Sequence, residues 1–534
     1  MIGRRHHRVF RSLAGALPSV GCSSRAALWP VALYMYVIAT AFAVLAALVW
    51  ALSGIFTRLY RIYVSPKPQI MAGGEATPVL RIALIGAASI APHALLYPSR
   101  SIPEIAVVAV GARSADRARS FAKRWHIKLH GTYEQILSSE DVDAVYIALI
   151  NGLHYEWAAA ALRAGKHVLC EKPLTSNARE ARELEQLARQ RSLVLMEAYH
   201  NLHHPLATRM RELVRSGELG QLTSLSISSG LPGPDGFAPL LRDKLGLPPA
   251  QAPPAGKTSQ RKAKMDVELG GGKFLGQGCY TVSMARWLVG DDAAGEDGGY
   301  DGGYDGGLYT SEHPSAFVTV ESARMVEDVA GSRADVATVA SLRLHSGGIK
   351  GAATSQGGGI VRAQLYHSSF GPGFDVTATF TRGSFTARNY LFPWVYHHLS
   401  VTRTQTDGSN VSHMEQHYGQ RTTPAAGKLA ASHEVEQSSS FALQLRAFAT
   451  AVRLHTLRTS PQQASSIGVE EEGVDDARQR DISRLEADPS SSALKATSAA
   501  SAVRNMEILD GIYDASGLGA RPGRAQPLAC NGAN

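Results

Sequence analysis

Cysteine is scarce in this 534-residue chain: Cys22, Cys170, Cys279 and Cys530 are the only four, and no two lie close together. Such spacing excludes a CxxC metal site and provides no disulfide framework, which suits a reducing compartment. Acidic residues are missing altogether before Glu75, while Arg4, Arg5, Arg8, Arg11, Arg25, Arg58, Arg61 and Lys67 supply eight positive charges. The formal net charge of +8 is therefore carried by the leader, and the body that follows is formally neutral. A nucleic-acid partner would need its basic patch on the folded body, so none is expected.

Charge of either sign is also missing from Ala26 to Phe56. Roughly 20 apolar residues cross the hydrocarbon core, so residues 26–57 predict one transmembrane helix with room for tilt. Trp29, Tyr34, Tyr36 and Trp50 stand where interfacial anchors belong, and Arg58 and Arg61 flank the exit. The alternative is a buried helix of a soluble domain. Residues 1–25, Arg-rich and acid-free, also have the composition of a mitochondrial presequence. The expected placement is a single-pass membrane protein with its body on the cytosolic face, a mitochondrial address remaining open. Residues 58–77, with Pro66, Pro68, Gly73 and Gly74, read as the linker.

Glycine is thin where a dinucleotide fingerprint would want three. The apolar run Val79–Ile85 meets Gly86-Ala87-Ala88-Ser89-Ile90-Ala91, in which Ala88 and Ala91 stand at the second and third glycine positions. Gly86, Ala87, Ala88, Ile90 and Ala91 are the candidates for a pyrophosphate loop at the start of a helix. The order of elements strengthens that reading. Strands at Ile105–Gly111, Asp143–Leu149, Lys166–Cys170 and Leu193–Glu197 alternate with helices at Ser114–Trp125, Tyr133–Leu137, Leu153–Ala164 and Ser176–Arg191. Alternation of this kind predicts an α/β fold, a doubly wound parallel Rossmann sheet, over residues 78–204. No carboxylate ends the second strand. Arg113 and Ser114 stand there instead, which favours a 2′-phosphate and hence NADP, unless Arg113 is an ordinary solvated arginine.

The stretch Ala164–Leu174 is an apolar strand that ends in Glu171, Lys172 and Pro173. Charge at the carboxyl end of such a strand lies where α/β sheets bind ligands, and Lys172 is the leading candidate for chemistry. Upstream, Asn151 and His154 form an N-x-x-H element. On the residues alone, His154 reads as a helix-start histidine making a capping bond.

Together, GAASIA, the run from Ala144 to Ala181 and MEAYH resemble the glucose-fructose oxidoreductase/inositol dehydrogenase (Gfo/Idh/MocA) family, in its dihydrodiol dehydrogenase and NADP-dependent D-xylose dehydrogenase branch. The resemblance implies a Rossmann domain followed by an α+β domain with a large, mostly antiparallel sheet, here residues 205–534. It places Lys172 near the nicotinamide and the substrate hydroxyl, and implies a cis bond before Pro173. It also implies that Asn151, His154, Glu171, Lys172 and Pro173 border the cofactor, and that subunits pair through the sheet as a homodimer. Two positions depart from the family's pattern. Leu202 replaces an arginine, and Gly276 replaces a substrate-facing aspartate, while Tyr280 at the end of that motif is kept. His203 stands where relatives carry an aromatic residue, and with Tyr280 is a candidate to assist proton transfer. His200, His203 and His204 cluster, yet no further ligand completes a zinc site.

Four segments, 242–266, 291–307, 404–437 and 460–492, are too polar or repetitive to bury a core and read as surface loops. The expected activity is NADP-dependent hydride transfer at a carbinol carbon of a sugar or cyclic diol. The rival is a membrane-tethered NADP-binding protein without turnover, a sensor or scaffold.

Overall fold

The computed structural model describes residues 79–230, 264–290, 318–328, 332–345, 360–368, 373–393, 397–417, 439–459, 479–485 and 493–523. The stretch 26–57 read as a transmembrane helix, the stretch 58–77 read as a linker and the segment 291–307 read as a loop lie outside these residues. Among the described residues, no helix is long and apolar enough to cross a membrane.

Apolar runs without polar alternation form a first sheet, as strands covered on both faces must. In chain order it is built from β1 (Leu80–Ile85), β2 (Ile105–Gly111), α1 (Ala115–Trp125), β3 (Leu129–Gly131), α2 (Tyr133–Leu137) and β4 (Ala144–Ile147). There follow α3 (His154–Arg163), β5 (His167–Glu171), α4 (Ala178–Gln190) and β6 (Leu195–Ala198). The six strands run parallel in the order β3-β2-β1-β4-β5-β6. Chain direction across the sheet reverses between β1 and β4, which opens a crevice at their carboxyl ends. Edge strand β3 is absent from the sequence expectation because three residues, Leu-His-Gly, carry no periodic signal. Local caps set the helix starts: Ser114 accepts from Arg117 N, Thr132 and Gln135 form a capping box, and Asn177 accepts from Glu180 N. After β1 the expected helix takes another form. Pro92–Leu96 is a π-helical turn and Pro98–Ser101 a 3₁₀ turn, because two prolines remove backbone donors from the run.

The second layer contains α5 (Pro205–Arg215), β7 (Leu222–Ser229), α6 (Cys279–Val289), β8 (Val318–Glu327), β9 (Asp335–His345), β10 (Ile360–Ser368), β11 (Asp375–Phe380) and β12 (Gly383–Arg388). It closes with β13 (His398–Thr404), β14 (Asn410–Glu415), α7 (Ser440–Thr459) and α8 (Ala499–Ala515). Its eight strands lie in the order β14-β13-β12-β11-β7-β10-β9-β8, antiparallel except where β7 meets β10. One face, with Leu225, Ile227, Leu342, Leu365 and Val376, packs on α6, whose every residue is buried. A helix buried on every side belongs in the centre of a core, and α6 sits there, with its one charge, Arg286, donating to Ser501 and Asn505.

Two of the segments read as surface loops contain regular structure. Within 404–437, β14 pairs with β13 along its whole length. It is an edge strand exposed on nearly every residue, so it shows no apolar alternation and is held by backbone pairing. Within 460–492, residues 479–485 are helical, Ile482 is buried, and Asp481 accepts from Arg453 at 3.1 Å. The C-terminal helices return to the first sheet. Phe441, Leu445 and Phe448 of α7 share a core with Ile82, Leu84, Ala94 and Leu95. Asp510 of α8 accepts from Ala178 N, the first residue of α4, at 2.8 Å.

Candidate active site

At the end of β1 the chain turns through Gly86 at φ +108°, with its N–H donating to Gly111 O at 2.9 Å. A Cβ here would lie 2.5 Å from Ala148 O, so glycine is obligatory. The turn leaves Ala87 and Ala88 half-buried and Ile90 exposed, while Ala91 is buried in the core. At the end of β2, Arg113 and Ser114 are exposed. A second guanidinium, which the sequence reading missed, stands beside them: Arg117 donates to Ala87 O at 3.2 Å. It lies one helical turn after Arg113, and that spacing was the available signal. Both arginines pull the buried Tyr133 hydroxyl down, although burial is the larger effect and leaves its pKa raised. An open backbone turn flanked by two arginines and no carboxylate fits a dinucleotide carrying a 2′-phosphate.

At the end of β5, Tyr146 Oη donates to Glu171, and burial holds the Glu171 carboxyl above its ordinary range against the pull of Lys172. The Lys172–Pro173 peptide is cis. Buried His154 lies between two carbonyls, with Nδ1 2.7 Å from Pro173 O and Nε2 3.2 Å from Leu149 O. Burial pushes its pKa down to about 4, so the ring is neutral and has one N–H to give. The shorter contact assigns that hydrogen to Nδ1, and His154 ties the Pro173 loop to the end of β4. Asn151 Nδ2 donates to Gly270 O at 3.0 Å, joining the same loop to the glycine-rich turn before α6.

Lys172 Nζ donates to Gly276 O at 2.6 Å and lies 4.5 Å from the centroid of the Tyr280 ring. The aspartate missing at Gly276 is thus replaced, as an acceptor for Lys172, by that residue's own carbonyl. A carbonyl orients an ammonium without neutralising it. Space for a side chain remains, since a Cβ on Gly276 would meet nothing within 4 Å. The carbonyl belongs to a π-helical turn, Phe274–Gly278, that runs into α6. Its start is anchored by a buried cluster that sequence reasoning did not find. Phe274 N donates to Asp335 Oδ2 at 2.6 Å, and Leu275 N donates to Tyr513 Oη at 3.0 Å. Tyr513 Oη and Arg521 Nη2 donate in turn to Asp335 Oδ1, at 2.8 and 3.0 Å.

The histidine beside Tyr280 is His200; His203, which the sequence reading named as a candidate for proton transfer, lies on the same turn. His200 Nε2 is 3.3 Å from Tyr280 Oη, and its Nδ1 is 2.8 Å from Ser440 Oγ. The imidazole is held against Phe441, with ring centroids 4.1 Å apart. Both histidines are buried on one 3₁₀ turn, and nothing local in His200–His204 distinguishes them. The partners that select His200 come from α6 and α7. Leu202, at the departed arginine position, is buried in the apolar core of the second layer. An ammonium over a phenol whose hydroxyl meets a neutral imidazole can stabilise a developing oxyanion and move a proton.

Residues 80–199 match the oxidoreductase family with NAD-binding Rossmann fold, and residues 207–295 match the GFO/IDH/MocA C-terminal domain. Over 218 residues the chain is 36% identical to the dTDP-3,4-didehydro-2,6-dideoxy-alpha-D-glucose 3-reductase of Streptomyces violaceoruber, covering 41% of this chain and 57% of that one. Over 208 residues it is 34% identical to the D-xylose 1-dehydrogenase (NADP(+)) 2 of Haloferax volcanii, covering 39% and 56% respectively. The chain therefore spans about half the length of the curated relatives it matches. A solved structure of similar fold is a mutant 3-ketoreductase from Actinomadura kijaniata in complex with TDP-benzene and NADP. Its TM-score is 0.51 over 77% of this chain and 97% of that one, at 24% identity, a likeness of fold alone.

Proposed function

We propose that this chain, which matches the GFO/IDH/MocA oxidoreductase models over residues 80–199 and 207–295, is an NADP-dependent dehydrogenase of that family, moving a hydride to or from a carbinol carbon of a sugar or cyclic diol. The observation that carries this reading is Lys172, held at the carboxyl end of β5 by Gly276 O and set over Tyr280. NADP, when bound, accepts or supplies the hydride at its nicotinamide. Gly86 to Ala91 would hold its pyrophosphate, and Arg113 with Arg117 its 2′-phosphate. Asn151 and the Glu171–Pro173 segment would border the nicotinamide end. Lys172 would hydrogen-bond the reacting oxygen, and Tyr280 would exchange its proton. The named activity of the Haloferax volcanii relative, an NADP-dependent sugar dehydrogenase, supports both the cofactor and the substrate class.

The direct test is turnover of full-length protein with NADP⁺ or NADPH over aldoses, ketosugars and trans-dihydrodiols. Tight NADPH binding with no turnover on any of them would instead favour a sensor or scaffold. Cofactor choice has its own measurement. The double variant Arg113→Ala, Arg117→Ala is expected to weaken NADPH binding by roughly 10-fold or more, the loss of at least one charge-assisted contact, and to change NADH binding by less than about twofold. Equal affinities of wild type for the two dinucleotides, by fluorescence titration, would remove the NADP assignment.

Two parts of the proposal rest on sequence and resemblance. One is anchoring by residues 26–57, which release of the full chain by alkaline carbonate would exclude. The other is a homodimer through the outer face of the second sheet, where Val339 and Tyr366 are exposed. A protomer mass in analytical ultracentrifugation would exclude it.

A further inference from the structure

The geometry points to His200 as the positioning residue of a proton relay, taking the proton of the reacting hydroxyl through Tyr280 and passing it to Ser440. The inference rests on the proposed dehydrogenase reading and assigns the route by which its proton leaves. Three atoms define the path. Tyr280 Oη is 3.3 Å from His200 Nε2, and His200 Nδ1 is 2.8 Å from Ser440 Oγ. The imidazole is fixed from several sides, its ring against Phe441 at 4.1 Å, Tyr280 at 5.9 Å and Phe392 at 6.1 Å between centroids.

A neutral imidazole carries one hydrogen and one lone pair, so the chain has two states that interconvert when a proton passes. In the first, the Tyr280 O–H donates to Nε2, Nδ1–H donates to Ser440 Oγ, and the phenol oxygen turns its lone pairs to the substrate. In the second, Nε2–H donates to Tyr280 Oη, the Ser440 O–H donates to Nδ1, and the phenol hydrogen faces the substrate. Oxidation takes the first state to the second. With NADP⁺ bound, its nicotinamide would take the carbinol C–H electron pair as hydride while the carbon–oxygen double bond forms, and these residues carry away the proton that is left. The substrate O–H proton passes to Tyr280, the phenol proton to Nε2, the Nδ1 proton to Ser440, and the Ser440 proton onward to water. Reduction runs the same sequence backwards, and atoms and charge balance in both directions.

The electrostatics agree with a relay of neutral groups. Burial first, then the positive charge of Lys172 and the neighbouring His203 and His204, hold His200 well below the ordinary histidine range. It therefore exchanges tautomers without storing an imidazolium. Polar groups continue beyond Ser440. Asn201, next in the chain to His200, and Gln444, one turn along α7 from Ser440, are 1% and 0% exposed. None of their side-chain amide atoms has a hydrogen-bond partner among the described residues. Buried amides of this kind are sites for ordered water, the carrier the last step requires.

The test uses full-length protein on whichever sugar or diol wild type turns over. His200→Gln preserves volume and hydrogen bonding but has no second nitrogen to exchange tautomers. It is expected to lower kcat by about 10²-fold, at the low end of proton-transfer catalysis, with NADPH Kd within about twofold. A wild-type proton inventory in H₂O–D₂O mixtures is expected to be curved, with more than one proton in flight, and that of His200→Gln to be linear. His200→Ala is expected to regain at least about tenfold in kcat with added imidazole, in proportion to its free base. Wild-type kcat in His200→Gln, or a lowered kcat with an unchanged proton inventory, would overturn the relay while leaving the dehydrogenase reading in place. Absence of turnover by wild type itself removes that reading and the relay with it.

Discussion

Lys172→Met lowers kcat by about 10³-fold and leaves NADPH affinity within a few-fold of wild type. The expectation follows from where the ammonium stands. It is fixed by one short bond to Gly276 O and by the face of Tyr280, so its remaining donors are positioned in advance. A preorganised donor at a developing oxyanion is worth roughly 10²–10³ in kcat, and loss of the linked proton transfer adds to that. Methionine keeps the length and apolar stem, so the packing beside Tyr280 survives. The affinity arm separates this role from cofactor binding, which the proposal assigns to the β1 and β2 termini. Steady-state kinetics beside a fluorescence titration decides the matter. A variant with wild-type kcat would remove Lys172 from the chemistry, and one that no longer binds NADPH would make it a cofactor ligand.

Asp335→Ala destabilises the chain by about 3–5 kcal/mol, the usual cost of leaving one partner of a buried ion pair without the other. Asp335 and Arg521 are both wholly inaccessible at the side chain. Burial raises the Asp335 carboxyl above its ordinary range even beside Arg521, Tyr513 and Phe274 N–H. Desolvation therefore outweighs attraction, and the pair specifies geometry more than it adds stability. That geometry is the π-helical turn that presents Gly276 O, so the same variant is also expected to lose roughly 10- to 100-fold in kcat through displacement of Lys172. Urea denaturation and steady-state kinetics read the two effects. An Asp335→Leu, Arg521→Met double variant that recovers stability but not kcat would separate them. Full kcat in the single variant would show that the anchor does not hold the site.

Much of the first sheet was legible because its strands are apolar on both faces and its helices carry caps and charged faces, the two signals that survive in sequence. Gly86 and the EKP segment announced themselves for the same reason, since each is a local conflict between composition and burial. Strands of the second sheet were harder. Leu222–Ser229 and Asn410–Glu415 are largely polar and carry little apolar alternation; the register of the first comes from β10, far along the chain, and the second is held by backbone pairing to its neighbour β13.

By itself the sequence determined the doubly wound order, the absence of a carboxylate at the end of β2 and the position of Lys172 at a strand's carboxyl end. These depend on contacts within a few dozen residues. Only the tertiary structure decided the partners of Lys172. Its acceptor is a backbone carbonyl 104 residues away, which no residue identity encodes, so Gly276 read as a loss. Choice of His200 over His203 was equally invisible, because Tyr280 and Ser440 reach that histidine from 80 and 240 residues along the chain. Side-chain identity states which chemistry is available. Which groups meet is settled by packing of α6 and α7 against the end of β6, and packing is a property of the whole fold.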